Sequence, residues 1–270
     1  NIKQGFPLFS QERAPTSVAY AENQSMFLDS LCGDAAWRAK YAKDRSANPL
    51  PWKLHEEELR AVHPFRVFAL RSMLSVPYFE KALYELPDDQ VTPTIIIELA
   101  DRVEQEMQGG LAPRPLLSVP HILSDEASCY YHGYVLAEMS VYQTRHFFFN
   151  SLGHIVDNPQ VGQALTKQYW RCGNSEAFLN LVEGLTGKPL TGEAWLADLK
   201  VPVEDIVQAE RAAYTSAVEA DKEADDKAVD LNMEMFIKDG DKVIADTKEL
   251  GGFIPACKAF EDYVIQRYFK

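Results

Sequence analysis

Cysteine is scarce in this chain. There are only four, Cys32, Cys129, Cys172 and Cys257, and no two of them stand in a C-x-x-C spacing. That favours reduced thiols over a disulfide scaffold, and no spacing supports a cysteine metal site or nucleophile. Long apolar runs are missing as well: none approaches the roughly 20 residues that a membrane helix needs. No membrane partner and no secretory signal are expected, and the compartment expected is the cytoplasm, or else an organellar matrix. Positive charge is the scarcer sign, with 27 Lys and Arg against 40 Asp and Glu and a net charge of −13. Such a chain does not suit nucleic acid or an anionic membrane surface as its partner. Internal repeats and low-complexity tracts are absent too. The H-E-E-E run at His55 lacks the second histidine at i+4 that would make a zinc helix, so His55 reads as a surface residue.

What is present is helical pattern. With 270 residues and 46% hydrophobic content, the chain is long enough to bury a substantial core in one large or two small domains. Asn1 to Pro15, broken by Gly5, Pro7 and Pro15, reads as irregular. Thr16 or Ser17 suits the N-cap of a helix to about Cys32, and Asp34 to Asp44 reads as a short helix. A long helical region from Leu54 to Leu86 carries Pro64 and Pro77 as breaks or kinks, with His63 at a boundary. Phe65, Phe68, Leu70, Met73, Leu74, Phe79 and Leu83 recur on it at core spacing. Thr92-Pro93 opens another helix that ends at Gly109-Gly110. Arg114 to Pro120 reads as extended, and a central helix is expected from Asp125 to Asn150. Shorter helices follow over 159–170, 175–185 and 193–199.

Past Lys200 the composition changes. Val203 to Asp230 reads as one long acidic helix, with a solvated face at Glu219 to Asp230. Asp239-Gly240 between two apolar runs is a hairpin signal, and Phe253 to Tyr268 closes as an amphipathic helix. The fold class expected is all-α with a small β-hairpin near the C-terminus, divided into 1–199 and an extension, 200–270.

Two stretches carry chemistry. His121 to Tyr142, HILSDEASCYYHGYVLAEMSVY, sets a histidine on a loop before a helix with tyrosines at i, i+3 spacing. Three hydrogen-bonding groups on one rim suit a site that polarises a carbonyl and holds an oxyanion. The bland alternative is half-buried packing with hydroxyls reaching solvent. Near the start, Glu22 and Asp29 lie two turns apart on one helix face, either both solvated or a metal-ligating carboxylate with an orienting acid. His146 and His154 read as structural or surface residues, and His132 beside the tyrosines is equally able to reach substrate or to face away. Cys129, next to Tyr130, is a candidate for thiol sensitivity at the site.

Taken in order, these segments resemble the thimet oligopeptidase and oligopeptidase F family of zinc metallopeptidases. AENQSMFLD at 21–29 is similar to the family's glutamate segment, and PHILSDEASCYYHGYVLAE at 120–138 to its histidine loop and Y-x-G-Y helix. RVFALRSMLSVPYFEKALYEL resembles a core helix, and VGQALTKQYWRCGNSEAFLNLVEGLTGKPLTGEAWL the family's C-terminal helices. The likeness spans roughly Thr16 to Leu199; the region after Lys200 has no counterpart in it. It implies an all-helical channel fold that hydrolyses short peptides, Glu22 as third ligand of a Zn2+, and Asp29 as the acid that orients it. It also implies His121, Tyr131 and Tyr134 as the catalytic wall, with Tyr130 and His132 beside substrate. Matching through the helix selects Tyr131 with one extra residue in the loop, because an insertion in a helix rotates all that follows by about 100°. A gap inside the helix would select Tyr130 instead.

One departure is decisive. The family's H-E-x-x-H is absent from the sequence, and in the family it stands shortly before the glutamate segment. The expectation is therefore a C-terminal catalytic portion, inactive by itself, whose two zinc histidines come from an N-terminal fragment or partner chain. The alternative is a catalytically inactive homologue that binds peptides or serves as a scaffold.

Overall fold

The computed structural model describes residues 17–112, 114–173, 175–223 and 233–269. The expected structure of 1–15 and most of the acidic patch at 219–230 lie outside the described residues. Eleven α-helices and one hairpin make up the described chain, so the all-α class with a small β-hairpin holds. The helices are α1 (Val18–Leu31), α2 (Ala35–Tyr41), α3 (Trp52–Val62), α4 (Arg66–Tyr84), α5 (Pro93–Gln108), α6 (His132–Leu152), α7 (Pro159–Leu165), α8 (Phe178–Thr186), α9 (Glu193–Asp198), α10 (Val203–Glu223) and α11 (Phe253–Tyr268). The chain divides into two compact units between 222 and 223, so the helix after position 200 belongs almost wholly to the first. Arg60 on α3 pairs with Glu204, and Tyr214 donates to the Leu50 carbonyl at 2.7 Å. No helix among the described residues is long and apolar enough to cross a membrane.

Two apolar clusters build the first unit. One joins α1, α6, α7 and α8 around Tyr20, Phe27, Phe148, Tyr169 and Val182; the other joins α4 and α5 around Val76, Phe79, Leu99 and Val103. Helices α1 and α6 run parallel, because contacts advance together along both. Gly133 lies against Val18 and Ala19, Asn23 bonds Ser140, and Ser30 accepts from Arg145 at 3.0 Å. Both Asn23 and Ser140 are buried, so sliding the helices would strand the Asn23 amide donor, while Ser140 keeps its bond to the Ala137 carbonyl. At α5, the Thr92 side chain accepts from Ile95 N–H, Pro93 takes the first turn, and Gly109 at φ +63° ends the helix.

Several elements depart from the sequence pattern. Pro64 does break the long region, into a 3-10 turn at His63–Phe65, but α4 continues through Pro77. Phe65 in that turn is 64% exposed rather than core, while Ser75 and Glu80 are buried on α4. The stretch before His121 is not extended: 3-10 turns occupy Leu116–Ser118 and Pro120–Leu123. The central helix begins at His132 and not near Asp125, since Asp125–Ala127 is a separate turn and Cys129 takes φ +56°. A left-handed residue interrupts a right-handed helix, so Tyr130 and Tyr131 precede the helix instead of riding on it. His55, expected at the surface, is 1% exposed. Trp52 packs beside it at 5.4 Å, Arg38 donates to Nδ1 at 3.1 Å and Glu210 of α10 stands 3.5 Å from Nε2. Only a helix 155 residues later closes that pocket, which the local pattern does not reveal.

In the second unit, β1 (Phe236–Asp239) pairs antiparallel with β2 (Lys242–Asp246), with an irregularity between Ile237 and Lys238. Gly240 at φ +60° makes the turn, and α11 packs on β2. The four cysteines are free thiols.

A Cβ at Gly133 would meet Val18 Cγ2 at 2.5 Å and the Ala19 backbone nitrogen at 3.3 Å, whereas one at Gly162 meets nothing within 4 Å. Overpacking outweighs the helix propensity gained at Gly133, so Gly133→Ala should destabilise by about 1–3 kcal/mol in urea unfolding. Gly162→Ala should stabilise by roughly 0.5–1 kcal/mol. A neutral or stabilising Gly133→Ala would show that α1 and α6 are not in close contact at Gly133.

Candidate functional site

Glu22 lies half-buried on α1, one face round from Asn23 and Phe27, which are buried against α6. Gln24 accepts from the Trp170 indole at 2.7 Å and Tyr20 donates to the Tyr169 carbonyl at 2.8 Å, which fixes the rotation of α1 about its axis. Glu22 is thereby turned toward the start of α6. There its Oε1 accepts from the Tyr130 hydroxyl at 2.6 Å, and its Oε2 from Ser25 at 2.8 Å.

The second wall hangs from the α4–α5 pair. Leu116 and Val119 are 1% and 2% exposed in that cluster, and the Leu116 N–H is held by Glu104 at 2.6 Å. His121 follows two residues after Val119 and so has little freedom. On the other side of the loop, buried Glu80 accepts from the Cys129 N–H at 3.0 Å, holding the left-handed residue that precedes Tyr130. The His121 ring sits 5.7, 5.3 and 5.5 Å from the rings of Tyr130, Tyr131 and Tyr134, nearly perpendicular to the last two. His121 Nε2 is 3.2 Å from the Tyr134 hydroxyl, while its Nδ1 is buried without a hydrogen bond.

The expected group thus converges in part. Glu22, His121, Tyr130 and Tyr134 meet as one hydrogen-bonded aromatic cluster, with residues 22 and 130 joined across 108 positions of chain. Tyr131 touches the His121 and Tyr134 rings but packs against the α4–α5 cluster, and it is Tyr130 that reaches Glu22. His132 is exposed and has no ring or hydrogen-bond contact with the cluster. Asp29 is exposed two turns further along α1 and forms no hydrogen bond to Glu22, whose carboxylate Tyr130 and Ser25 orient instead. Cys129 is exposed, and burial followed by the Glu80 charge pushes its thiol up, against ready thiolate formation. His146 and His154 are exposed, as expected. Glu80 and Ser25 were not anticipated. An acidic residue directly after Phe79, at the spacing of the helix's apolar face, was the available signal for Glu80.

Burial, then the Glu22 hydrogen bond and charge, push the Tyr130 phenol well above its ordinary range. Tyr134 is raised by burial and then by Glu22. Both phenols therefore stay protonated at neutral pH, as donors facing an acceptor carboxylate. A catalytic zinc takes three protein donors and an open position. Among the described residues no group of three or more His, Cys, Asp or Glu side chains lies together to hold a metal. This place offers one carboxylate, so the chain's own donors do not by themselves fit zinc.

Further along α6, a cavity of about 570 Å3 lies between the end of α1 and helices α3, α6, α9 and α10. Arg38, Arg66 and Arg145 in its walls pair with Glu58, Asp198 and Asp34. Burial raises Asp34 despite Arg145. Glu138 also lines it, and burial, then the charge of Asp29, raises its carboxyl against the pull of Arg145 and Arg66.

Compared with protein-family models, with curated proteins and with solved structures, the chain finds no match in any of the three.

Glu22→Gln removes both the charge and the charge-assisted acceptor, so the Tyr130 phenol should ionise at lower pH than in the wild type. The difference absorbance titration between Glu22→Gln and Glu22→Gln/Tyr130→Phe isolates it; an unchanged midpoint would contradict the contact. Glu138 gives a second expectation. A carboxyl raised on folding binds more protons in the native state between its unfolded and folded pKa values, so stability falls as pH rises through that window. Glu138→Gln should remove that part of the decline in urea melts taken from acid to neutral pH. A decline equal to the wild type's would exclude Glu138 as its source.

Proposed function

We propose that this chain forms one wall of a zinc oligopeptidase site that cleaves short peptides. Glu22 would be the third protein ligand, and Tyr130, Tyr134 and His121 the groups facing the scissile carbonyl. The observation that carries this reading is the 2.6 Å contact of Glu22 with Tyr130, beside the 3.2 Å contact of His121 with Tyr134. The resemblance expects a carboxylate and a histidine-phenol wall from remote segments at one place. A structural helical bundle has no need to bring them together. Phenols that remain protonated at neutral pH suit an oxyanion on a peptide carbonyl, where losing one such donor costs about 100- to 1000-fold in kcat. On this reading Tyr130 stands where matching through the helix put Tyr131; α6 starts at His132, so an extra residue before it shifts no helical side chain.

The two remaining zinc ligands must come from an H-E-x-x-H segment supplied in addition to this sequence, and no step is assigned to the metal here. On the same reading, the free thiols suit a reducing compartment, cytoplasmic or an organellar matrix. A second reading, a catalytically inactive peptide-binding or scaffolding subunit, is favoured by the single-carboxylate donor set.

Metal analysis separates the two. Mixed with a fragment bearing H-E-x-x-H, the chain should bind one zinc and hydrolyse short peptides, and Glu22→Gln should weaken zinc binding by about 10-fold or more. Zinc uptake that does not depend on Glu22, or none in the mixture, would remove the peptidase reading and leave the binding subunit.

A further inference from the structure

We propose that the cavity beside the tyrosine cluster is a subsite for a cationic group, an alkylammonium or guanidinium carried by a bound peptide, with Glu138 as its counter-charge. That the carrier is a peptide rests on the oligopeptidase reading; the demand for positive charge rests on the cavity alone.

Place comes first. Tyr134, Glu138 and Tyr142 follow one another at i, i+4 on α6, so a single helix face leads from the phenol wall into the cavity. One turn is about 5.4 Å, which puts Glu138 one to two residues along an extended peptide from a carbonyl held at Tyr134. A volume of about 570 Å3 accommodates a lysine or arginine side chain with its adjoining backbone.

Charge comes next. The walls hold three arginines and five carboxylates, so with neutral histidines the lining is net negative. Three of those carboxylates are closed in arginine pairs, and Glu210 is occupied by the Ala35 N–H at 2.7 Å. Glu138 alone of the five has neither a hydrogen bond nor an ion pair among the described residues. A carboxylate taken largely out of water, with Asp29 as like-charged neighbour, is costly unless a cation joins it. The walls also hold a buried donor without a partner. Arg38 can only donate, so His55 Nδ1 accepts and Nε2 carries the proton of the neutral ring. That Nε2 is buried and has no hydrogen bond, standing 3.5 Å from Glu210. A ligand with a cation for Glu138 and a carbonyl oxygen for a wall donor has the composition of a basic peptide.

The test is binding without turnover, using the full chain alone, so that it does not depend on zinc. Isothermal titration would compare three sets of hexapeptides: both ends capped with one lysine scanned through the positions, the same with norleucine, and the norleucine peptide with a free amino terminus. The wild type should bind at least one cationic form about tenfold more tightly than capped norleucine, and the preference should shrink with added salt. Preference in the lysine arm identifies a side chain, and in the free-terminus arm an α-ammonium, as the source. Glu138→Gln, confirmed folded by circular dichroism, should bind cationic and neutral forms equally. Equal binding in the wild type, no binding of any peptide, or a preference that survives in Glu138→Gln overturns the proposal. Cation preference without zinc binding in the mixed sample would leave the subsite standing and remove only the peptidase reading.

Discussion

The parallel contact of α1 with α6 is the constraint on which the rest of the first unit depends. Gly133 lets the two backbones approach where any side chain would collide with Val18. Seven residues on, the buried pair Asn23–Ser140 favours this register, because a shift leaves the Asn23 amide donor dry and unmatched. Packing of Phe27 on Phe148 then extends the same register toward the far ends of both helices. That alignment sets polar contacts at both of its ends. At one end it sets Glu22 opposite Tyr130, and at the other it brings Ser30 and Asp34 to Arg145.

The aromatic cluster is held from a different direction as well, by three segments and not by one helix face. Its histidine comes from a loop anchored in the α4–α5 cluster, its carboxylate from α1, and its phenols from the approach to α6. The cluster therefore occupies the seam between two apolar cores. Seams tolerate polar groups that a single core would exclude, since each group keeps one side toward a partner. Glu80 illustrates the cost. It is a buried carboxylate on a packed helix, and what it holds is one backbone N–H in a strained loop.

The first unit carries its polar groups mainly in partnered form. Arginines in the cavity walls meet carboxylates from other helices, and these pairs tie α2 to α3, α4 to α9 and α6 to the start of α2. Against that background four groups among the described residues stand out without a partner: His121 Nδ1, His55 Nε2, Gln108 Oε1 and the Glu138 carboxylate. Two of the four line the cavity, one belongs to the aromatic cluster, and Gln108 ends α5 away from both.

Helix content, the hairpin at Asp239-Gly240 and the closing helix at 253–268 were legible in the sequence, because period, caps and turn residues act over a few neighbours. The residues of the aromatic cluster, a carboxylate near the start and a later histidine-tyrosine segment, were also singled out by the sequence. Which tyrosine meets Glu22 was not, since it depends on where α6 begins, and that is set by the left-handed Cys129 and its anchor on a helix 49 residues earlier. His55 gave the same lesson in reverse: its neighbours in sequence are charged and exposed, and only the arrival of α10 buries it. Local pattern determines what each segment can become. Tertiary packing decides which side chains are dry, which are paired and which are left facing a cavity, because those are properties of contacts between segments far apart in the chain.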